Sequence, residues 1–442
     1  MKTPHRLARL AALAALPLTL LAGPAATGAG AAQAPAPPAR PTAADDDAGY
    51  RWVGSWTAMP QLTEPANLPP PPFTGDTGVL ADATLRQTVR ITSGGERFRL
   101  AFSNEFGGAP LPLTEVTVAL PRDGRAGVAE IEPGSGRPVT FSGGRPSVTV
   151  PVGARYVSDP IDVPLLPGSN LTVSVYLATG QASLDVTSHP GSRTTSHLVA
   201  GNHAAAGELP GATPTDHWYF LSGVEAWSPP GSSATAILGD SLTDGRGSTT
   251  NGNDRWPDRL FDRLAAEPAT ARVALLNQAA GGNRVLNDGL GPSVLARLDR
   301  DVIAQSGVDR LILFEGLNDI GTAEATEAAQ LAVTDELITA YDQIVSRAHA
   351  HDIEVVGATL LPFGDNEMYD DPDGWRASAR AEVNAWIRDS GRFDAVLDFD
   401  AVARDPERPD RLRPDIHVGD WLHLNPTGYR LLADSVPLDL LD

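Results

Sequence analysis

At Pro229-Pro230 the chain changes its periodicity, and that change constrains the fold more than any other feature of the sequence. Beyond it, short apolar runs at 234–238, 273–276, 310–314, 354–358 and 395–399 alternate with stretches of helical spacing near 257–266, 293–304, 323–349 and 378–388. Strands of this kind, separated by helices, make a parallel sheet covered on both faces. Before the change, runs such as 97–102, 115–120, 147–152 and 171–177 alternate or are β-branched, with Gly- and Pro-rich breaks between them. The expected fold is therefore of the α/β class with an all-β preface. An N-terminal β-sandwich domain is expected over 50–230, and a three-layer α/β/α domain built on a parallel sheet over 231–442.

The first residues carry a different message. Lys2, Arg6 and Arg9 flank an apolar stretch at 10–21 that gives way to small residues, the pattern of a secretory signal peptide. Cleavage after Ala31 is expected, so that 1–31 is the signal peptide and the Pro- and Asp-rich 32–49 a flexible linker. No stretch reaches the roughly eighteen apolar residues of a membrane span. A secreted, extracellular protein without stable membrane insertion follows as the expectation.

The chain has no cysteine, and Lys2 is its only lysine. A mature form would then have neither thiol nor side-chain amine, which excludes cysteine nucleophiles, Schiff bases, thiolate–zinc sites and the P-loop lysine. The net charge of -21 disfavours nucleic acid and anionic membrane surfaces as partners.

Polar landmarks stand at the ends of the apolar runs. Gly239-Asp240-Ser241-Leu242 follows the first, Gly281-Gly282-Asn283 the second and Gly316-Leu317-Asn318-Asp319 the third. Asp420-Trp421-Leu422-His423 closes the chain and precedes a final helix. A serine after a strand needs a base, and an imidazole oriented by a carboxylate is the usual one. Asp420 and His423 are spaced to serve Ser241 in that way; Asp415 with His417 is the competing pair. The backbone N–H groups of Ser241 and Gly282 and the side chain of Asn318 are candidate donors to an oxyanion. Read singly, each feature also fits an N-cap, a turn or a helix cap; their conjunction at successive strand ends carries the reading. Because such sheets bind ligands beyond the carboxyl ends of their strands, all these residues are expected at one site. Trp256 and Arg284, which follow two of the landmarks, are candidate substrate contacts, though Trp256 before Pro257 also suits a buried helix start. His189 and His197 lack acidic or sulfur ligands at metal spacing, so no metal and no cofactor is expected.

These blocks resemble those of the SGNH (GDSL) hydrolase superfamily: Ser241, Gly282, Asn318 and His423, with Asp420 as the D-x-x-H partner. Arg255-Trp256-Pro257-Asp258, Glu315-Gly316-Leu317-Asn318-Asp319-Ile320 and, in the front part, Trp52-Val53-Gly54-Ser55-Trp56 are similar to its XynE-like branch. The resemblance implies a carboxylic ester hydrolase acting through an acyl-enzyme, on acetyl or aryl-acyl esters of plant polysaccharide such as xylan. Its partners would be small esters or acylated polysaccharide. A lipase or phospholipase, and a carbohydrate-binding protein, are the alternatives. Loops at 243–255 and 362–375 are expected to shape the pocket.

Overall fold

The computed structural model describes residues 49–442, so the expected signal peptide and residues 32–48 of the expected linker lie outside the described residues. Gly49–Asp442 forms one compact unit.

In the back part, strands Ser233–Gly239, Val273–Asn277, Val308–Phe314, Glu354–Ala358 and Ala395–Leu397 form a parallel five-stranded sheet. Across the sheet they run in the order Val273–Asn277, Ser233–Gly239, Val308–Phe314, Glu354–Ala358, Ala395–Leu397. The chain thus enters second from one edge, steps to that edge, then crosses back to the other side. Loops leaving the first three strands diverge at this reversal and open a crevice above the carboxyl ends. Helices Trp256–Ala266, Glu327–His349, Trp375–Asp389 and Pro426–Ser435 are among those that cover the sheet. Ile237, Leu238, Leu311, Ile312, Leu337, Val355 and Tyr429 belong to one buried cluster. Each fully buried aliphatic side chain of this kind contributes roughly 1.5–3 kcal/mol.

Two boundaries differ from the sequence expectation for local reasons. The run at 395–399 ends as a strand at Leu397, because the Asp398 side chain accepts from the Ala401 N–H and starts the helix Phe399–Ala403. Phe399 then packs edge-on against Trp256 and Phe314, at 5.5 and 5.1 Å between ring centres. The long helix starts at Glu327 rather than 323, where Thr326 caps it, and a separate short helix Leu317–Thr322 precedes it.

The front part is antiparallel. One sheet joins Arg51–Thr57, Leu221–Ser228, Phe98–Ser103 and Arg155–Val157; another of six strands is built around Ala83–Arg90 and Asn170–Leu177. Their strands share a core that includes Trp56, Leu85, Phe102, Val173 and Trp218. This front part is joined to the parallel sheet along a tight seam. The Gly54 N–H donates to Ser306 O at 2.7 Å, and a Cβ at Gly54 would lie 2.6 Å from Leu276 Cδ1, so any larger residue would have to displace the Leu276 side chain. Val53 is buried with Ala234, Ala274 and Leu276.

Candidate active site

Ser241 is the first residue of the short helix Ser241–Asp244, immediately past the Ser233–Gly239 strand. Asp240 caps that helix, its carboxylate accepting from the Leu242 N–H at 2.9 Å, and so fixes the backbone that carries the serine. Ser241 Oγ lies 2.9 Å from His423 Nε2, although about 180 residues separate them in sequence. His423 Nδ1 lies 2.7 Å from Asp420 Oδ2. The other Asp420 oxygen accepts from the N–H groups of Leu422 and His423, at 3.0 and 2.9 Å. One carboxylate therefore holds both the turn and the ring. With Nδ1–H donated to Asp420, Nε2 presents its lone pair to the Ser241 hydroxyl.

The electrostatics suit a base. Burial pulls the His423 imidazole below its ordinary pKa, against the opposing pull of Asp420, so the ring is neutral near pH 7. Burial raises Asp420, but bonds from the His423 ring and from two backbone N–H groups outweigh it and hold the carboxyl below the usual range. Deeper in, burial and the nearby Asp319 and Asp244 charges push Asp240 up to about 7. Asp319 is pushed up to about 6 by burial, against N–H donors from Val285 and Leu286.

The candidate oxyanion donors converge on the same cavity, a cleft of about 1140 Å³. Gly282 has φ +73°, and a Cβ there would meet Leu290 Cδ1 at 2.5 Å. No hydrogen bond to the N–H of Gly282 or of Ser241 is made among the described residues. Asn318 opens the first turn after the third strand. Its Nδ2 donates one hydrogen to Asn283 O at 2.8 Å, leaving the second free, while Oδ1 accepts from the Tyr369 hydroxyl at 2.6 Å. Burial raises the Tyr369 phenol to about 12, so it remains a donor and fixes which way the amide points. Asn283 is itself clamped: its side-chain oxygen accepts from Arg297 at 2.8 and 3.1 Å, and its amide donates to Leu290 O and Pro292 O.

The structure thus brings Ser241, Gly282, Asn318, Asp420 and His423 together around one cavity. Two candidates need correction. Trp256 is fully buried, its indole N–H donating to Thr243 Oγ1 at 3.1 Å, and it does not line the cavity. Pro257 places it at a helix start, and the core takes the ring. Arg284 also stays out, because its guanidinium folds back onto the Asp288 carbonyl. His417 is no rival base: its Nδ1 accepts from the N–H groups of Gly419 and Trp421, and Asp415 pairs with Arg413. His189 and His197 face different partners, Asp244 and Gly127 O.

Both expected loops reach the cavity, through Asp244 and Arg246 and through Asp365–Tyr369. The front part supplies a third wall that sequence reasoning did not assign, including Gln61, Glu64, Asn67, Arg193 and His217. Glu64 is held there by the side chains of Gln61 and Asn67, at 2.6 and 2.9 Å. Tyr369 and Asp244 were likewise not anticipated. Asp244 stands three residues after the serine, a spacing that places it at the far end of one helical turn; Tyr369 has no local signal at all.

Residues 237–431 match the GDSL-like Lipase/Acylhydrolase family. No curated protein matches the chain. Among solved structures it is similar to an acetyl xylan esterase from Geobacillus stearothermophilus, with 19% identity over 46% of this chain and 92% of that one and a TM-score of 0.35. It is also similar to the acetyl xylan esterase AlAXEase, at 20% identity over 46% and 96% of the chains and a TM-score of 0.34. A lipolytic protein of the G-D-S-L family from Desulfitobacterium hafniense DCB-2 gives 18%, 46%, 97% and 0.34. The matched residues 237–431 include the serine, histidine and aspartate brought together above.

Proposed function

We propose that this protein is a secreted serine esterase that removes acetyl or aryl-acyl groups from plant polysaccharide such as xylan, as a member of the XynE-like branch. One observation carries the chemistry: the Ser241–His423–Asp420 line at 2.9 and 2.7 Å beside two unpartnered backbone N–H groups. Ser241 Oγ attacks the ester carbonyl as its proton passes to His423 Nε2. The carbonyl oxygen becomes an oxyanion that takes hydrogen bonds from the N–H of Ser241 and Gly282 and from Asn318 Nδ2. Collapse expels the alcohol, which receives the proton from His423, and leaves an acyl-serine. His423 then takes a proton from water, whose oxygen attacks the acyl carbon; the bond to Ser241 Oγ breaks, His423 returns the proton to that oxygen, and the acid is released.

The wall from the front part supports a hydroxyl-bearing alcohol portion, because Gln61, Glu64, Asn67 and His217 offer hydrogen-bonding groups on one side of a cavity whose other sides include Leu290, Met368 and Leu422. We assign the front part as a β-sandwich domain that ends near residue 230 and covers one side of the cleft; its shared core supports the assignment.

The test is hydrolysis by the purified mature protein of p-nitrophenyl esters of rising chain length, acetylated xylan and a phospholipid, with Ser241→Ala alongside. Serine-dependent release of acetate from xylan is expected, with Ser241→Ala inactive and within about 1 kcal/mol of wild-type stability. A preference for long chains or phospholipid would replace the polysaccharide assignment with a lipase. Undiminished hydrolysis by Ser241→Ala would overturn the mechanism.

A further inference from the structure

We propose that His189 and Asp244 are positioning residues of the oxyanion hole, through which the front β region holds the Gly281-Gly282 loop in its working position. The proposal deepens the esterase reading and rests on it. Asp244 is the last residue of the helix that begins with Ser241, and it is buried at 5% exposure. One of its oxygens accepts from the Gly281 N–H at 3.0 Å. The other lies 2.9 Å from His189 Nε2. A single carboxylate therefore joins the two segments that carry the backbone donors, those of Ser241 and of Gly282.

His189 is itself buried and held on several sides. It sits in the strand Thr187–His189, which pairs on one side with Trp218–Tyr219 and on the other with Gln61–Leu62. Its ring stacks on Trp218 at 5.8 Å between centres, and its Nδ1 lies 3.1 Å from Met59 O. A carbonyl only accepts, so Nδ1 carries a proton. The 2.9 Å contact at Nε2 sets the other edge of the ring against the Asp244 carboxylate. Each Asp244 oxygen makes one of these bonds, and the role assigned to Asp244 is to hold the loop. Displacement of an oxyanion donor by a fraction of an ångström weakens its bond in the transition state far more than it weakens ground-state binding.

Three full-length mature variants test this: Asp244→Ala, Asp244→Asn and His189→Ala. They are read by kcat and KM on p-nitrophenyl acetate and by amide hydrogen exchange of the peptide covering 279–285. Asp244→Ala is expected to lower kcat by about 10- to 100-fold with KM within about threefold, a partial loss of one oxyanion donor. Exchange in the 279–285 peptide rises in step. Asn can still accept from the Gly281 N–H and donate to His189 Nε2, so Asp244→Asn restores most of kcat and of the protection. His189→Ala falls between the two.

A folded Asp244→Ala with wild-type kcat and exchange overturns the proposal. So does a fall in kcat that Asp244→Asn shares in full, or one without any change in exchange at 279–285. Should Asp244→Ala not fold, His189→Ala decides by the same two readouts. If the wild-type protein hydrolyses no ester, the esterase reading fails, and the exchange measurement still decides whether Asp244 and His189 hold the loop.

Discussion

Asn318→Ala separates catalysis from stability more cleanly than any other change at this site. The substitution removes the side chain proposed as an oxyanion donor and, with it, two structural bonds: Nδ2 to Asn283 O at 2.8 Å and Tyr369 hydroxyl to Oδ1 at 2.6 Å. A buried polar group left without its partner costs about 1–3 kcal/mol. Here the new space adjoins the cavity, so water can reach both orphaned groups and the lower end of that range applies. A loss of about 1–2 kcal/mol leaves a protein of ordinary stability folded at 25 °C. The catalytic loss is larger, because a donor aimed at developing charge is worth about 2.7–4 kcal/mol, or 100- to 1,000-fold in kcat. The assay is kcat and KM on p-nitrophenyl acetate, with a urea denaturation curve for the same preparation. Asn318→Asp sharpens it: the carboxylate keeps the Tyr369 bond but turns an acceptor toward the oxyanion, so its kcat falls at least as far. A folded Asn318→Ala within about threefold of wild-type kcat would refute the assignment of Asn318 as a donor.

Three further outcomes follow from the same geometry. Burial holds His423 below 6.5, so the acid limb of kcat/KM is expected below that value in a pH–rate profile. The sign for stability is the same: the unfolded chain protonates first as the pH falls, so this group's contribution is present above about 6.5 and lost below it. Arg297→Met removes a cation buried at 1% exposure between Asp301 and Glu315 and frees the Asn283 side chain. It is expected to cost about 3–5 kcal/mol in urea denaturation, toward the lower end because Arg300 still pairs with Asp301. Trp256→Phe is expected to lower stability by about 1–3 kcal/mol and leave KM unchanged, since the indole packs on Phe399 away from the cavity.

What could be read from the sequence tracks how local its physical cause is. The five parallel strands were legible because each is an apolar run bounded by breakers, and Ser241, Gly282 and Asn318 because they stand directly past three of those runs. His423 and Asp420 were legible as a pair because three residues of one turn suffice to bring ring and carboxylate together. The polar wall at Gln61, Glu64 and Asn67, the Tyr369 bond and the His189–Asp244 contact were not, since each depends on how loops from distant segments meet. Trp256 was ambiguous for a related reason. Beside Pro257 it marks a helix start, and only packing decides which way an indole at such a position turns.

The pairing of Arg51–Thr57 with Leu221–Ser228 sets the order in which this chain can assemble. The first described strand finds its partner only after some 170 further residues have been made, and Gly54 must then dock against Leu276 and Ser306, later still. Contacts so distant along the chain close slowly, because loop entropy is spent before they form. The cleft, which takes one wall from the front part, is therefore expected to be among the last features to be completed.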